Sequence, residues 1–228
     1  KYMALRFLPS LAGTLLPVVI FLLALQLKFK PQAAFIAGFL ITIENALVVQ
    51  THYILMDGFL LLFGFLTLLF YFKHGNSRHL HGHYANLLLM AVFGGLAISI
   101  KWTGLTFLAL PLILETWRYF INVSYDTFIK YLQFLLLVMV TSVIIYFLIF
   151  ALHFSLLNKP GTGDAFMSSN FHNENVFKKF TELNIQMYQS NQRLTATHPY
   201  SSSWYSWPFM ARPIFYWVSD HSRIYLLG

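Results

Sequence analysis

The sequence predicts an all-α fold, a polytopic transmembrane helical bundle followed by a long outer-face loop. Three observations carry this. Of the 228 residues 57% are hydrophobic and only 10% charged, against about a quarter charged in soluble domains, and the mean hydropathy is +0.61. Six apolar segments recur along the first two thirds of the chain. The last of them stops abruptly at a stretch of turn formers, after which the composition becomes polar and aromatic.

The segments run over Leu11–Leu27, Ala33–Val49, Leu55–Phe72, Leu87–Ile100, Leu105–Trp117 and Tyr131–Leu152. The last carries no charge, and at ~1.5 Å per helical residue it is long enough for a hydrocarbon core of roughly 30 Å. The fourth and fifth are short and flank Lys101-Trp102-Thr103-Gly104. They are expected to meet at or below one interface rather than both crossing fully. After Leu152 come Asn158, Pro160, Gly161 and Gly163, which end a helix and turn the backbone to where water can satisfy it. Residues 1–156 therefore read as the membrane region and 157–228 as an extracytoplasmic loop with an aromatic-rich interfacial segment.

Orientation follows from the short loops, since Lys and Arg accumulate on the cytoplasmic side. Lys28 and Lys30 follow the first segment, Lys73 and Arg78 the third, Arg118 and Lys130 the fifth. The alternate connections, with Gln50–Asp57, Lys101–Gly104 and the long loop, then face outward. The net charge of +7 is spread between apolar spans, which argues against a nucleic-acid partner. There is no cysteine for a disulfide or thiolate site. The chain opens on Lys1 without a signal segment and reads as a fragment. His74, His79, His81 and His83 lack nearby carboxylate or thiolate partners, so a solvated connector is preferred over a metal site. Gly161-Thr162-Gly163-Asp164 is too short for a phosphate loop, and no nucleotide-binding motif occurs near it.

The outward-facing residues carry more information. Glu44 and Asn45 interrupt the second segment, and Gln50, His52 and Asp57 follow. Ionisable groups at membrane depth cost about 2.5–3.5 kcal/mol on insertion scales, so they face a cavity or a partner. Glu44 reads as an interhelical hydrogen-bond partner or a cavity group, and Asp57 as a helix N-cap or a site residue. Lys101, beside Trp102, reads either as a snorkelling interfacial anchor or as a phosphate ligand, placed where a lipid-linked sugar donor holds its phosphate. From His198 to Trp217 the loop is dense in aromatic residues. Trp204, Trp207, Phe209, Tyr216 and Trp217 suit the headgroup level or a sugar site, and Arg212 and Arg223 can meet lipid phosphate.

Four stretches in order resemble the protein O-mannosyltransferases. LHFSLLNKPGTGDAFMSSNF is similar to the family's membrane exit, SIKWTGL to its lysine-tryptophan-glycine helix end, ENALVVQTHYILMD to its Asn, Gln and Leu-x-Asp stretch, and ALRFLPSLAGTLLP to the arginine-bearing helix before it. HPYSSSWYSWPFMARPIFYW with IYLLG resembles the carboxyl-side outer segment of prokaryotic members.

The resemblance implies a bundle of the C-type glycosyltransferase class that moves mannose from polyprenyl or dolichyl phosphate to Ser or Thr hydroxyls of a protein, inverting, without a metal or other cofactor. It assigns Lys101, Arg6, Asn45, Gln50, His52, Asp57 and Arg212 to the donor phosphate or its cavity. Asp164, His198, Trp204 and Trp207 fall to the acceptor side of the outer loop. The family's Asp-Glu pair, its expected base, lies upstream of ALRFLP and outside this fragment, as do the C-terminal helices. His52 stands where the family usually has arginine and is charged only near or below about pH 6.5. Eukaryotic members follow MSS-x-F with a β-trefoil, whereas about thirty Asn-, Gln- and Lys-rich residues stand here. That implies a prokaryotic plasma membrane with the site on its outer face, or the ER membrane in a eukaryote. Two other readings are open. A related enzyme would use a lipid or glycan acceptor, as aminoarabinose transferases do. A transporter would line its path with Glu44, His52 and Lys101.

Overall fold

The structure, a computed structural model, describes residues 2–195, 201–209, 215–218 and 225–227. Among these, eight α-helices follow in order: α1 Tyr2–Gln26, α2 Pro31–Ile43, α3 Asn45–His52, α4 Asp57–Asn76, α5 Leu80–Ile100, α6 Leu105–Ile121, α7 Tyr125–Leu156 and α8 Val176–Gln192. Two short strands, β1 Phe215–Val218 and β2 Tyr225–Leu227, pair antiparallel near the chain's end. The chain divides into two compact units, Lys1–Tyr146 and Phe147–Gly228, the boundary falling within α7.

The six expected apolar segments all appear as helices. Among the described residues, five helices are long and apolar enough to cross a membrane, and the bent pair α2–α3 makes a sixth if taken as one span. The expectation that the fourth and fifth fall short is corrected. α5 extends back to Leu80, and Trp102–Ile121 forms a continuous 20-residue stretch. Hydropathy marks the lipid-facing part of a helix, but its backbone bonds continue through polar residues such as His81, His83 and Asn86.

In the first unit α4 is central, packing against α1, α5 and α6 and touching α3. One side of the core holds Tyr71, Leu87, Met90, Leu108, Phe134 and Val138. The other holds Ala12, Val19, Leu23, Leu62 and Leu69. Lipid supplies little hydrophobic drive between helices, so close approach at small residues and interhelical hydrogen bonds fix the pairs. At Gly95 a β-carbon would lie 2.8 Å from the Ser142 carbonyl of α7. Ser142 Oγ donates to Ala91 O at 2.9 Å across the same contact.

Between α2 and α3 the chain bends by 55°. No proline causes it. Glu44 adopts an extended conformation, and its carboxylate accepts from the N–H groups of Ala46 (3.1 Å) and Leu47 (2.7 Å). It caps the new helix start. An interhelical role for Glu44 is thereby replaced by a local one.

In the second unit α8 is an amphipathic helix that the Asn-rich sequence obscured. Asn175 Oδ1 accepts from Lys178 N at 3.0 Å as its N-cap. On its apolar side Phe177 stacks on Phe147, and Phe180 meets Phe147 and Phe150 edge-on.

Candidate functional site

Three helices of the first unit converge on Thr51, near the end of α3. Thr51 is buried, and its carbonyl accepts from Ser10 Oγ of α1 at 3.2 Å. A β-carbon on Gly13 would meet the Thr51 side chain at 2.6 Å, and one on Gly58 of α4 would meet its methyl at 3.1 Å. Glycine at both positions lets α1 and α4 close around this residue. Arg6 lies one turn before Ser10, exposed.

Asp57, adjacent to Gly58, begins α4, while Met56 rather than Asp57 is the N-cap. The expected capping role is corrected: the helix bonding already starts with Leu60 N to Met56 O at 3.0 Å. The carboxylate accepts instead from Lys101 Nζ at 2.6 Å, across from the end of α5. Half of the Lys101 side chain and a quarter of the Asp57 side chain remain accessible (51% and 26%). An ammonium has three N–H donors, and among the described residues Asp57 takes one of them.

The turn that presents Lys101 follows from KWTG. Lys101 leaves helical geometry, its carbonyl accepts from Gly104 N at 2.8 Å, and a β-carbon on Gly104 would lie 2.5 Å from Ala97 backbone atoms. Trp102 does not hang in the interface as a free anchor. Its indole N–H donates to Tyr146 Oη of α7 at 3.0 Å.

His52 is exposed and donates from Nδ1 to Val48 O at 2.6 Å, since a carbonyl can only accept. In the neutral ring Nε2 is then an acceptor, unsuited to phosphate unless protonated. Gln50 is half-buried on α3, and Asn45 occupies its first turn. Arg6, Gln50, His52, Asp57 and Lys101 thus belong to one end of the helices, opposite Lys73 and Arg78.

Asp164 belongs to the second unit. Its Oδ2 accepts from Gly161 N at 2.7 Å and lies 2.9 Å from His172 Nε2. The Gly161 N–H first, and the His172 ring next, hold its pKa below the usual carboxylate range. Glu182 of α8 accepts from Ser168 N at 2.6 Å and Ser168 Oγ at 3.1 Å. The exit loop is therefore built rather than slack. His172 and Glu182 were not singled out from the sequence. The signal for His172 was its place just after the MSS-x-F stretch. Trp204 and Trp207 lie in a 3-10 turn, Trp204–Phe209, of which only their backbone is described. His198 and Arg212 lie outside the described residues.

Among the described residues no three His, Asp or Glu side chains group as a metal site. His74 is buried, donates to His83 O at 3.0 Å, and its ring lies tilted by 38° against the His83 ring with centroids 3.7 Å apart.

Residues 1–158 match the family described as dolichyl-phosphate-mannose-protein mannosyltransferase, and residues 176–228 match the C-terminal four-transmembrane region of protein O-mannosyltransferase. The chain is 32% identical over 178 residues to dolichyl-phosphate-mannose–protein mannosyltransferase 1 of Candida albicans, covering 75% of this chain and 20% of that protein. It is 33% identical over 180 residues to protein O-mannosyl-transferase 1 of Mus musculus, covering 74% of this chain and 24% of that protein. The chain thus spans about a quarter or less of the length of these curated relatives. The fold is similar to that in a structure of the S. cerevisiae protein O-mannosyltransferase Pmt1-Pmt2 complex bound to the sugar donor, with a TM-score of 0.68 and 24% identity over 74% of this chain and 24% of that one.

Proposed function

This chain belongs to the dolichyl-phosphate-mannose-protein mannosyltransferase family, and on that premise we propose that the protein moves mannose from a polyprenyl or dolichyl phosphate to Ser or Thr hydroxyls of an acceptor protein. The observation that carries the reading is the Asp57–Lys101 pair, within the matched region and at the helix end away from the basic loops. The name of the Candida albicans relative gives dolichyl-phosphate mannose as its donor, and both relatives' names give a protein as acceptor.

Lys101 holds the donor phosphate through its two remaining N–H groups, and Asp57 fixes the direction of the third. As the bond between the anomeric carbon and the phosphate oxygen breaks, the electron pair stays on that oxygen and the ammonium stabilises the growing charge. The acceptor oxygen bonds to the opposite face of the same carbon, inverting it. Its proton passes to a carboxylate base, for which the family's upstream Asp-Glu pair is the candidate. Arg6, Asn45 and Gln50 border the donor cavity. The resemblance further implies Arg212 as a phosphate contact and Asp164, His198, Trp204 and Trp207 on the acceptor side. The reading uses no metal or cofactor.

The protein is an integral multi-pass membrane protein. We place its site on the extracytoplasmic face of a prokaryotic plasma membrane, supported by the basic loops and by the polar stretch with α8 after MSS-x-F, where the resemblance implies a β-trefoil in eukaryotic members.

The test is transfer by the full-length protein in liposomes, with labelled polyprenyl-phosphate mannose and a Ser/Thr-rich peptide. Label in the peptide that disappears with Lys101→Ala supports both reaction and phosphate site. Donor consumed without peptide labelling redirects the reading to a lipid or glycan acceptor. No donor binding overturns it.

A further inference from the structure

At the opposite end of the first unit, an open cleft of about 760 Å³ lies between the end of α4, the start of α5, the end of α6 and the start of α7. Its charged wall holds Arg78, Arg118 and Lys130 against one carboxylate, Glu115. Glu115 is already committed, accepting from Arg118 Nη1 and from Tyr71 Oη at 2.8 Å. Among the described residues, Arg78 and Lys130 have no carboxylate within ion-pair distance, Asp126 one turn before Lys130 included. Among the described residues that line it, the cleft therefore carries a formal surplus of two positive charges.

A second feature says what kind of anion fits. An apolar groove of about 500 Å³, lined by Leu80, His81, Tyr84, Ala85, Leu88 and Leu137, shares Leu80 and Tyr84 with the cleft. From Leu80 to Leu88 it follows α5 for about 12 Å toward the bilayer centre. A cationic recess that opens into an apolar track along a membrane helix matches a phosphate headgroup with an acyl chain attached. A free phosphate compound would use only the first part.

We propose that this cleft and groove together bind an anionic phospholipid of the leaflet on the basic-loop side, its phosphate held by Arg78, Lys130 and Arg118 and one acyl chain lying against Leu80, Tyr84 and Leu88. This leaflet carries the anionic lipids to which basic residues near membrane helices are attracted. The site is separate from the Asp57–Lys101 end and rests on no feature of the transfer reaction.

The experiment uses the full-length protein in detergent, exchanged into equal amounts of phosphatidylglycerol and phosphatidylcholine of the same acyl length, with retained lipid counted by native mass spectrometry. The expected result is preferential retention of phosphatidylglycerol. Arg78→Gln with Lys130→Gln should reduce that preference roughly ten- to thirty-fold, while Lys28→Gln with Lys30→Gln, an equal charge loss on the same face, leaves it unchanged. Leu88→Trp, which fills the groove, should reduce retention of both lipids. An equal effect of the two double variants overturns the proposal in favour of unspecific surface charge. Displacement of the lipid by glycerol phosphate at matching concentration overturns it in favour of a free phosphate ligand. Failure of wild type to retain any lipid overturns it in favour of coverage by another part of the protein.

Discussion

Lys101 Nζ meets Asp57 Oδ1 at 2.6 Å, tying the end of α5 to the first turn of α4. Both side chains are partly exposed, and such pairs contribute only about 0–1 kcal/mol to stability. The pair is better understood as positioning than as scaffolding. Lys101→Ala should lower transfer by roughly 10²–10³-fold, the range seen when one donor to a developing oxyanion is lost. The thermal midpoint in detergent should barely move. Lys101→Arg should retain part of the rate, because the charge survives. A full-rate alanine variant would remove Lys101 from the site.

Asp57→Asn separates direction from charge. The amide keeps an acceptor oxygen but loses the ion pair, so Lys101 is less firmly aimed while still cationic. Turnover should fall less than in Lys101→Ala. Asp57→Glu should keep the ion pair but give less than the native rate, since its longer arm shifts the ammonium. Initial rates at saturating donor check this; a loss confined to acceptor KM would speak against the pairing as the cause.

The separate members of this site were legible in the sequence, since charged or amide residues inside apolar spans stand out at once. Their pairing was not. Forty-four positions separate Asp57 from Lys101, and only the antiparallel approach of α4 and α5 brings them together. The six spans were equally visible from hydropathy, but not where α5 begins, because Leu80 to Asn86 is helical without being apolar. α8 was missed although Asn175 followed by Val176, Phe177, Phe180, Leu183 and Met187 has the cap and the helical spacing of an amphipathic helix. Its Lys, Gln and Asn residues dominated the composition and hid the stripe.

His52→Arg should be tolerated. The His52 ring is exposed and hydrogen-bonds to Val48 O, so little packing is lost, and the guanidinium gives a permanent charge where the resemblance implies an arginine in the family. Transfer rates at pH 7.5 should be equal to or above wild type. Complete inactivation would show that the position does not align with the family's arginine.

Gly95→Val should destabilise the bundle without touching the site. Any β-carbon there lies 2.8 Å from both the Ser142 carbonyl and the Ile145 β-carbon, backbone and branch atoms that cannot swing away. Separating α5 from α7 also lengthens the Ser142 to Ala91 hydrogen bond. Overpacking of this kind costs about 1–3 kcal/mol, readable as a lowered thermal midpoint. An unchanged midpoint would mean that the two helices are not held at this distance.

Transfer should persist when divalent ions are removed with a chelator. In the proposed reaction the phosphate charge is met by Lys101, and a lysine does not depend on bound metal. Loss of activity in EDTA, restored by magnesium or manganese, would assign that charge to a metal instead.

The exit loop should loosen in acid through Asp164. Its pKa is depressed in the folded chain by the Gly161 N–H and by His172. A depressed carboxylate contributes stability that is fully present above its unfolded value, about 3.8, and that is lost as pH falls through the lower folded value. Protection of the Gly161 amide against hydrogen exchange should therefore hold from neutrality to about pH 4 and decline below it, after correction for the intrinsic exchange rate. Asp164→Asn should remove that acid-side decline and lower protection at neutral pH, because the carboxylate closing the turn is gone. His172→Gln should weaken protection less, since the larger of the two influences, the backbone donor, remains. Identical exchange at Gly161 in wild type and Asp164→Asn would show that the turn is held by something other than this carboxylate.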